Sequence, residues 1–245
     1  MEIREEQIRT AMLLGEGAMQ RLAKARVAVF GVGGVGGHLC EALARAGVGA
    51  IDLFDSDTVS LSNINRQAVA AHSTVGRLKV EVMRERILDI APACRVTVYP
   101  TFYLPENADA YPLGEYDYVA DAVDTVSAKI ELAVRADREG VPLIAAMGAG
   151  NRTDPTRFRV TDLFSTSGCP LARVMRRELK ARGIRRLKVV FSDEPITTPP
   201  SDAPTVNADP ETRKTPPASL PFVPSAVGLI MAREIVFGLI SQKGE

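Results

Sequence analysis

Cysteine and histidine are scarce in this chain. Cys40, Cys94 and Cys169 are odd in number, far apart and without a C-x-x-C pair, which excludes a disulfide framework and a zinc site built on paired thiolates. His38 and His72 stand alone, so no metal site of Cys and His is available. An excess of one charge is also missing. Thirty basic side chains balance thirty acidic ones, so bulk electrostatics names no partner and only local clusters can. The opening stretch MEIREEQIRT lacks the apolar core of a signal peptide, and the most apolar late segment, Phe222 to Ile240, is interrupted by Arg233 and Glu234. Together these features predict a soluble, cytoplasmic protein with no membrane association.

What is present is ordinary globular material: 245 residues, 46% hydrophobic and 24% charged, enough for one α/β domain with a substantial core. Short β-branched runs recur at Arg26 to Val32, Ala50 to Asp55, Arg95 to Pro100, Tyr116 to Asp124 and Pro142 to Gly150. Helical spacing lies between most of them, notably over Lys79 to Ile90 and Ser127 to Glu139, the latter closed by Gly140. Strand and helix in alternation predict a mostly parallel, twisted sheet with helices on both faces. Phe158 to Leu163 and Leu187 to Ser192 are extra strands after the fifth, in an order the pattern leaves open. From Pro195 to Pro224 nine prolines fall in thirty residues, which excludes a helix or an interior strand. A strong apolar helical pattern follows, so this stretch is expected to be a crossover loop over the active face rather than a free linker. The resulting division is a helical segment at 1–25, a nucleotide-binding core at 26–194, the proline-rich loop at 195–224 and a final helix at 225–241. No internal repeat is present.

GVGGVG places Gly31, Gly33 and Gly36 as G-x-G-x-x-G directly after a strand and before a helix. Gly31 permits the turn, Gly33 lets backbone N–H groups approach a phosphate, and Gly36 allows close packing of a helix whose N-terminus attracts anions. Asp55, nineteen residues after Gly36, is placed to accept hydrogen bonds from ribose hydroxyls. This much is a Rossmann-like arrangement and leaves NAD and ATP open. The residues beyond Asp55 favour ATP. Ser62, Asn63, Asn65 and Arg66 follow in SNINRQ, and Lys79 follows in GRLK. A single pyrophosphate is largely satisfied by its glycine loop, whereas a triphosphate expelling pyrophosphate has further charge to neutralise. Arg66 offers a planar fork and Lys79 a point charge. At the end of the fourth strand DAVDT supplies Asp124 as a magnesium ligand working with phosphates and water. Asp121 is expected to anchor the local turn, while Thr125 and Lys129 are in reach of nucleotide or substrate.

A second cluster lies at RVMRRELKARGIRRLK, where eight basic residues meet one acid, Glu178, in sixteen positions. Arg173, Arg176, Arg177 and Lys180 on a helix, followed by Arg185 and Arg186, form a phosphate-tracking surface for a nucleic acid; the competing reading is a merely solvated face. Cys169, before Pro170 at a helix start, is where a thiolate would be favoured, although a small buried cysteine is the commoner case.

GVGGVG, DSD, SNINRQ, the lysine of GRLK and DAVDT together resemble the signature set of the adenylating enzymes related to ubiquitin activators, over nearly the whole chain. The resemblance implies that Gly34, Asp55, Ser62 to Arg66, Lys79, Asp124 and Thr125 bind ATP, with magnesium on Asp124. It implies a homodimer in which an N-terminal arginine, here Arg9, reaches the other subunit's nucleotide. RTAMLLGEGAM, MGAGNRTDPTRFRVTDL and CPLARVMRRELKARGIRRLKVVFS are similar to the branch of tRNA threonylcarbamoyladenosine dehydratases. That branch implies a tRNA substrate whose carboxylate is adenylated before a ring closes with net loss of water, catalysed by Arg66, Lys79 and Asp124. The nearest alternative is an adenylyltransferase for a ubiquitin-like or sulfur-carrier protein; an NAD-dependent oxidoreductase and a non-enzymatic nucleotide sensor stand further off. No cysteine occurs in the proline-rich stretch, so thioester chemistry there is not expected, and a sulfur-transfer partner is left open.

Overall fold

A computed structural model describes residues 3–204 and 215–241. Two short helices open the chain, α1 (Ile8–Leu14) and α2 (Glu16–Lys24), hinged at Gly15 with φ +80°. Then come β1 (Arg26–Phe30), α3 (Gly36–Ala46), β2 (Ala50–Phe54), α4 (Lys79–Ile90), β3 (Arg95–Tyr99), β4 (Tyr118–Asp121), α5 (Val126–Glu139) and β5 (Leu143–Ala146). The chain continues through β6 (Phe158–Asp162), α6 (Pro170–Ala181) and β7 (Lys188–Ser192) to α7 (Phe222–Ser241).

The seven strands form one sheet in the order β3-β2-β1-β4-β5-β7-β6. All neighbours are parallel except β6, which runs antiparallel to β7 at the edge. This is the doubly wound, Rossmann-like arrangement expected, and the order of the two extra strands is now settled. Alternate residues of each strand enter two cores. Val27, Val29, Ile51 and Leu53 join α3, α4 and α7 on one face, while Ala28, Phe30, Val189 and Phe191 join α5 and α6 on the other. On the latter face Phe30 stacks on Phe54 at 4.2 Å between ring centroids and Phe54 on Tyr99 at 4.3 Å, an aromatic ladder across three strands.

The first and fifth strands end early, at Phe30 and Ala146, and two further boundaries differ from expectation. The fourth strand is shorter than Tyr116 to Asp124, because the pairing with β1 and β5 ends at Asp121 and Ala122 to Thr125 become an open loop. The last helix begins at Phe222, three residues before position 225, with Pro224 inside its first turn, where a missing N–H costs nothing. By length and composition α7 could cross a membrane, yet half of it is buried inside the protein. Val227, Met231 and Ile235 are its core-facing residues.

Candidate active site

Between β1 and β4 the strand order reverses, and the carboxyl ends of these strands open a crevice, the place where open α/β sheets bind ligands. The glycine turn closes one side. Gly31 has φ +88°, and a Cβ there would lie 2.7 Å from the Ala122 carbonyl oxygen; a Cβ on Gly36 would fall 1.8 Å from that of Gly31. Both positions therefore exclude any side chain, and the helix N-terminus of α3 is pressed against the crevice.

Asp55, just past β2, accepts hydrogen bonds from Val32 N–H at 2.7 Å on one oxygen and Asp57 N–H at 2.8 Å on the other. Each oxygen retains acceptor capacity for a ribose hydroxyl. Burial raises the Asp55 carboxyl above its ordinary range, with Lys79 and the two N–H groups pulling the other way. Lys79 opens α4 with 5% of its surface exposed, and its Nζ donates to Asp57 Oδ2 at 2.6 Å.

Arg66 is half-buried, and that burial lowers its guanidinium below the ordinary value. It donates to the Ser62 carbonyl at 2.9 Å and to Asn65 Oδ1 at 2.8 Å. His38 Nε2 lies 3.3 Å from the Arg66 carbonyl oxygen. Asn63 closes a capping box with Ser60, and its carbonyl accepts from the N–H groups of both Arg66 and Gln67. SNINRQ is thus a series of tight turns whose outcome is the placement of one arginine.

On the opposite wall Asp121 and Lys129 are both fully buried and paired at 2.9 Å. Lys129 also donates to the Val123 carbonyl at 3.0 Å, and Asp121 accepts from Val123 N–H at 3.2 Å. Burial pushes the Asp121 carboxyl up, opposed by Lys129. Lys129 is therefore out of reach of nucleotide or substrate, contrary to expectation; it supports the DAVDT loop from below. Asp124, at the loop's outer edge, is exposed and takes only a long 3.4 Å contact from the Thr125 hydroxyl.

These walls enclose a cavity of about 340 Å³, within the range of small-molecule sites. Gly31, Gly33, Gly34, Asp55, Arg66, Lys79, Asp124 and Thr125 line it. Gly36, Ser62, Asn63 and Asn65 are not lining residues; they belong to the turns that carry the lining residues. Arg9 is exposed on α1, away from the cavity of its own chain. Several lining residues escaped the sequence reading. Asp57 was visible as the second acid of DSD, whereas Gln67 belongs to the SNINRQ run already expected beside the nucleotide. Gln67 is 8% exposed, and its Oε1 is buried with no partner among the described residues. Phe102, which follows β3, had no local signal, whereas Pro216, Pro217 and Ser219 bring the proline-rich stretch over the active face as expected.

The basic cluster divides in two. Arg176 is half-buried on the Thr166 carbonyl, and Arg177 and Arg182 pair with Glu178 at 2.8 and 3.0 Å. Arg173, Lys180, Arg185 and Arg186 are exposed. Cys169 is 2% exposed at the start of α6, the position of a packed thiol rather than a presented one. Among the described residues no group of three or more His, Cys, Asp or Glu side chains is arranged to hold a metal ion. Among the described residues the carboxylates that line the cavity are Asp55, Asp57 and Asp124.

The ThiF family model matches residues 5–245, which is nearly the entire chain. The chain belongs to the ThiF family. Within it, tRNA threonylcarbamoyladenosine dehydratase of Bacillus subtilis is 42% identical over 237 residues, 95% of this chain and 93% of that protein. The Escherichia coli enzyme of the same name is 45% identical over 201 residues, 79% and 75% of the two chains. The crystal structure of E. coli tRNA N6-threonylcarbamoyladenosine dehydratase in complex with ATP superimposes with a TM-score of 0.86 at 37% identity, covering 98% of this chain and 95% of that one.

Proposed function

We propose that this ThiF-family protein binds ATP in the cavity and uses it to dehydrate the threonylcarbamoyl group of threonylcarbamoyladenosine in tRNA. The observation that carries this reading is the convergence of Arg66, Lys79, Asp124 and the glycine turn on one cavity of nucleotide size. The similarity to dehydratases along 95% of the chain names the substrate.

In this reading an oxygen of the free carboxylate attacks the α-phosphorus of ATP, and the bond to the bridging oxygen of pyrophosphate breaks. An acyl adenylate results. A neighbouring atom of the same modification then attacks the acyl carbon, AMP departs, and the tRNA has lost the elements of one water. Such chemistry asks for positioning and charge neutralisation more than proton transfer. Asp55 holds the ribose, the N–H groups beside Gly33 and Gly34 face the phosphates, and Arg66 and Lys79 oppose the charge developing on pyrophosphate. Lys79 leaves or shares its bond to Asp57 to do so. Magnesium, when bound, neutralises phosphate charge, and Asp124 is the carboxylate that would hold it. No histidine takes part.

The exposed Arg173, Lys180, Arg185 and Arg186, with Arg176 and Arg177 beside them, form the tRNA-tracking surface. The protein acts as a homodimer, with Arg9 of one protomer reaching its partner's nucleotide. Exposed Met12 and Leu13 on the same short helix, 81% and 84% accessible, support that face as the contact. Bulk solution, the cytoplasm, is the expected location.

The test is mass spectrometry of nucleosides from threonylcarbamoylated tRNA incubated with protein and ATP, where loss of one water is expected. Pyrophosphate exchange with a Gly-Gly-ended carrier protein and none with modified tRNA would overturn the proposal. Asp124→Ala is expected to abolish AMP production with little loss of folding stability; a fully active variant removes magnesium from Asp124.

A further inference from the structure

Asn151 is the only residue other than glycine with a positive φ among the described residues, at +55°. It follows β5 by a short loop, and both arms of the proline-rich stretch meet on it. Its carbonyl accepts from Thr197 N–H, on the outgoing arm, at 2.8 Å. Its N–H donates to the Ala218 carbonyl, on the returning arm, at 2.8 Å, and its side-chain Oδ1 accepts from Ala218 N–H at 2.8 Å. The adjoining Gly150 is pressed so closely that a Cβ would lie 2.6 Å from Pro217 Cβ. One residue later the Ser219 carbonyl accepts from Asn65 Nδ2 at 3.0 Å, and Asn65 Oδ1 in turn accepts from Arg66. A hydrogen-bonded chain therefore runs from Asn151 through the returning arm to the guanidinium that lines the cavity. Pro216, Pro217 and Ser219 form part of the cavity wall along the way.

We propose that Asn151 is a positioning residue that clasps the two arms of the proline-rich stretch and, through Ser219 and Asn65, holds Arg66 in register for the nucleotide phosphates. The nucleotide's identity rests on the adenylation reading above. The physical basis is pre-organisation: Arg66 sits on a loop, and its geometry is maintained before ligand arrives only if that loop is tied to something rigid. β5 is an interior strand paired on both sides, with β4 and β7, and Asn151 joins the loop that leaves it to the returning arm. Asparagine suits the task because it tolerates the left-handed backbone while bringing an acceptor that glycine lacks.

Asn151→Gly in the full chain keeps the backbone preference and deletes Oδ1; Asn151→Asp keeps an acceptor. Hydrogen exchange by mass spectrometry on the peptide containing Ala218, and ATP binding by titration calorimetry, are the measurements. In Asn151→Gly, exchange at Ala218 accelerates and ATP Kd rises roughly three- to tenfold, the worth of one hydrogen bond, while Asn151→Asp stays within about twofold of the parent. In pyrophosphate exchange the change appears in KM for ATP, with kcat within about twofold. Faster exchange at unchanged Kd would overturn the proposal, as would unchanged exchange, or a loss of ATP binding that Asn151→Asp fails to restore. Calorimetry needs no tRNA, so a parent protein that binds ATP but leaves modified tRNA intact defeats the proposed function without touching this comparison of variants.

Discussion

Lys79 and Lys129, at the sheet's carboxyl end, are almost entirely buried, and each is tied to a carboxylate, Asp57 and Asp121. Arg173, Lys180, Arg185 and Arg186 are exposed and form no ion pair among the described residues. The two regions differ in what a lost charge leaves behind. Removing Lys129 strands a fully buried carboxylate, and removing Lys79 frees one that is largely exposed; along the stretch from Arg173 to Arg186 a lost charge removes one increment of surface potential. The first kind of charge is coupled to its neighbours, and the second is additive.

The contrast can be broken at its most buried point. Lys129→Met leaves Asp121 without its partner, and denaturant unfolding should show a loss of about 3–5 kcal/mol. The double variant Lys129→Met with Asp121→Leu should recover most of it. If the single variant loses under about 1 kcal/mol, the pair is not what supports the DAVDT loop.

Lys79→Met sharpens the comparison, because Asp57 is 60% exposed and tolerates the loss of its partner. Stability should fall by no more than about 1 kcal/mol, whereas the rate of adenylation should fall roughly a hundredfold, as for loss of a charge-stabilising group. Equal loss in both would make Lys79 a structural lysine. At the small end, changing Arg173, Lys180, Arg185 or Arg186 singly to Gln should leave stability within about 0.5 kcal/mol. Each should reduce the slope of log affinity for tRNA against log salt by roughly 0.7 to 0.9. A slope indifferent to all four would return α6 to an ordinary solvated face.

Much of this was legible because the parallel half of the sheet obeys local rules. Apolar runs, the glycine turn and Asp55 follow one another within the first fifty-five residues, and their three-dimensional relation is a property of one strand–helix–strand unit. Lys129 was misread for the opposite reason. Position alone, a turn into the helix after DAVDT, places it near the cavity, and only the packing of α5 on β4 decides that its ammonium turns down onto Asp121. The strap is a third case. A loop over the active face was expected of the proline-rich stretch, but nothing local links Asn151 to Ala218 or Asn65 to Ser219, separated by 67 and 154 residues, so the contacts that hold it there became visible only in three dimensions. The triad of half-buried Arg26 with buried Asp52 and Tyr116 at the other end of the sheet was silent in the same way. Asp52 is wholly buried, held by Arg26 at 2.6 Å and by the Tyr116 hydroxyl at 3.0 Å.

All three cysteines are buried, and burial pushes the Cys94 thiol up to about 11 and the Cys40 thiol further still. The folded protein therefore shields its thiols from alkylating reagents. Sulfur becomes instead a built-in stopwatch: each thiol is labelled only as fast as its own neighbourhood opens, with Cys40 timing the helix beside the glycine turn, Cys94 the approach to β3 and Cys169 the root of the basic helix.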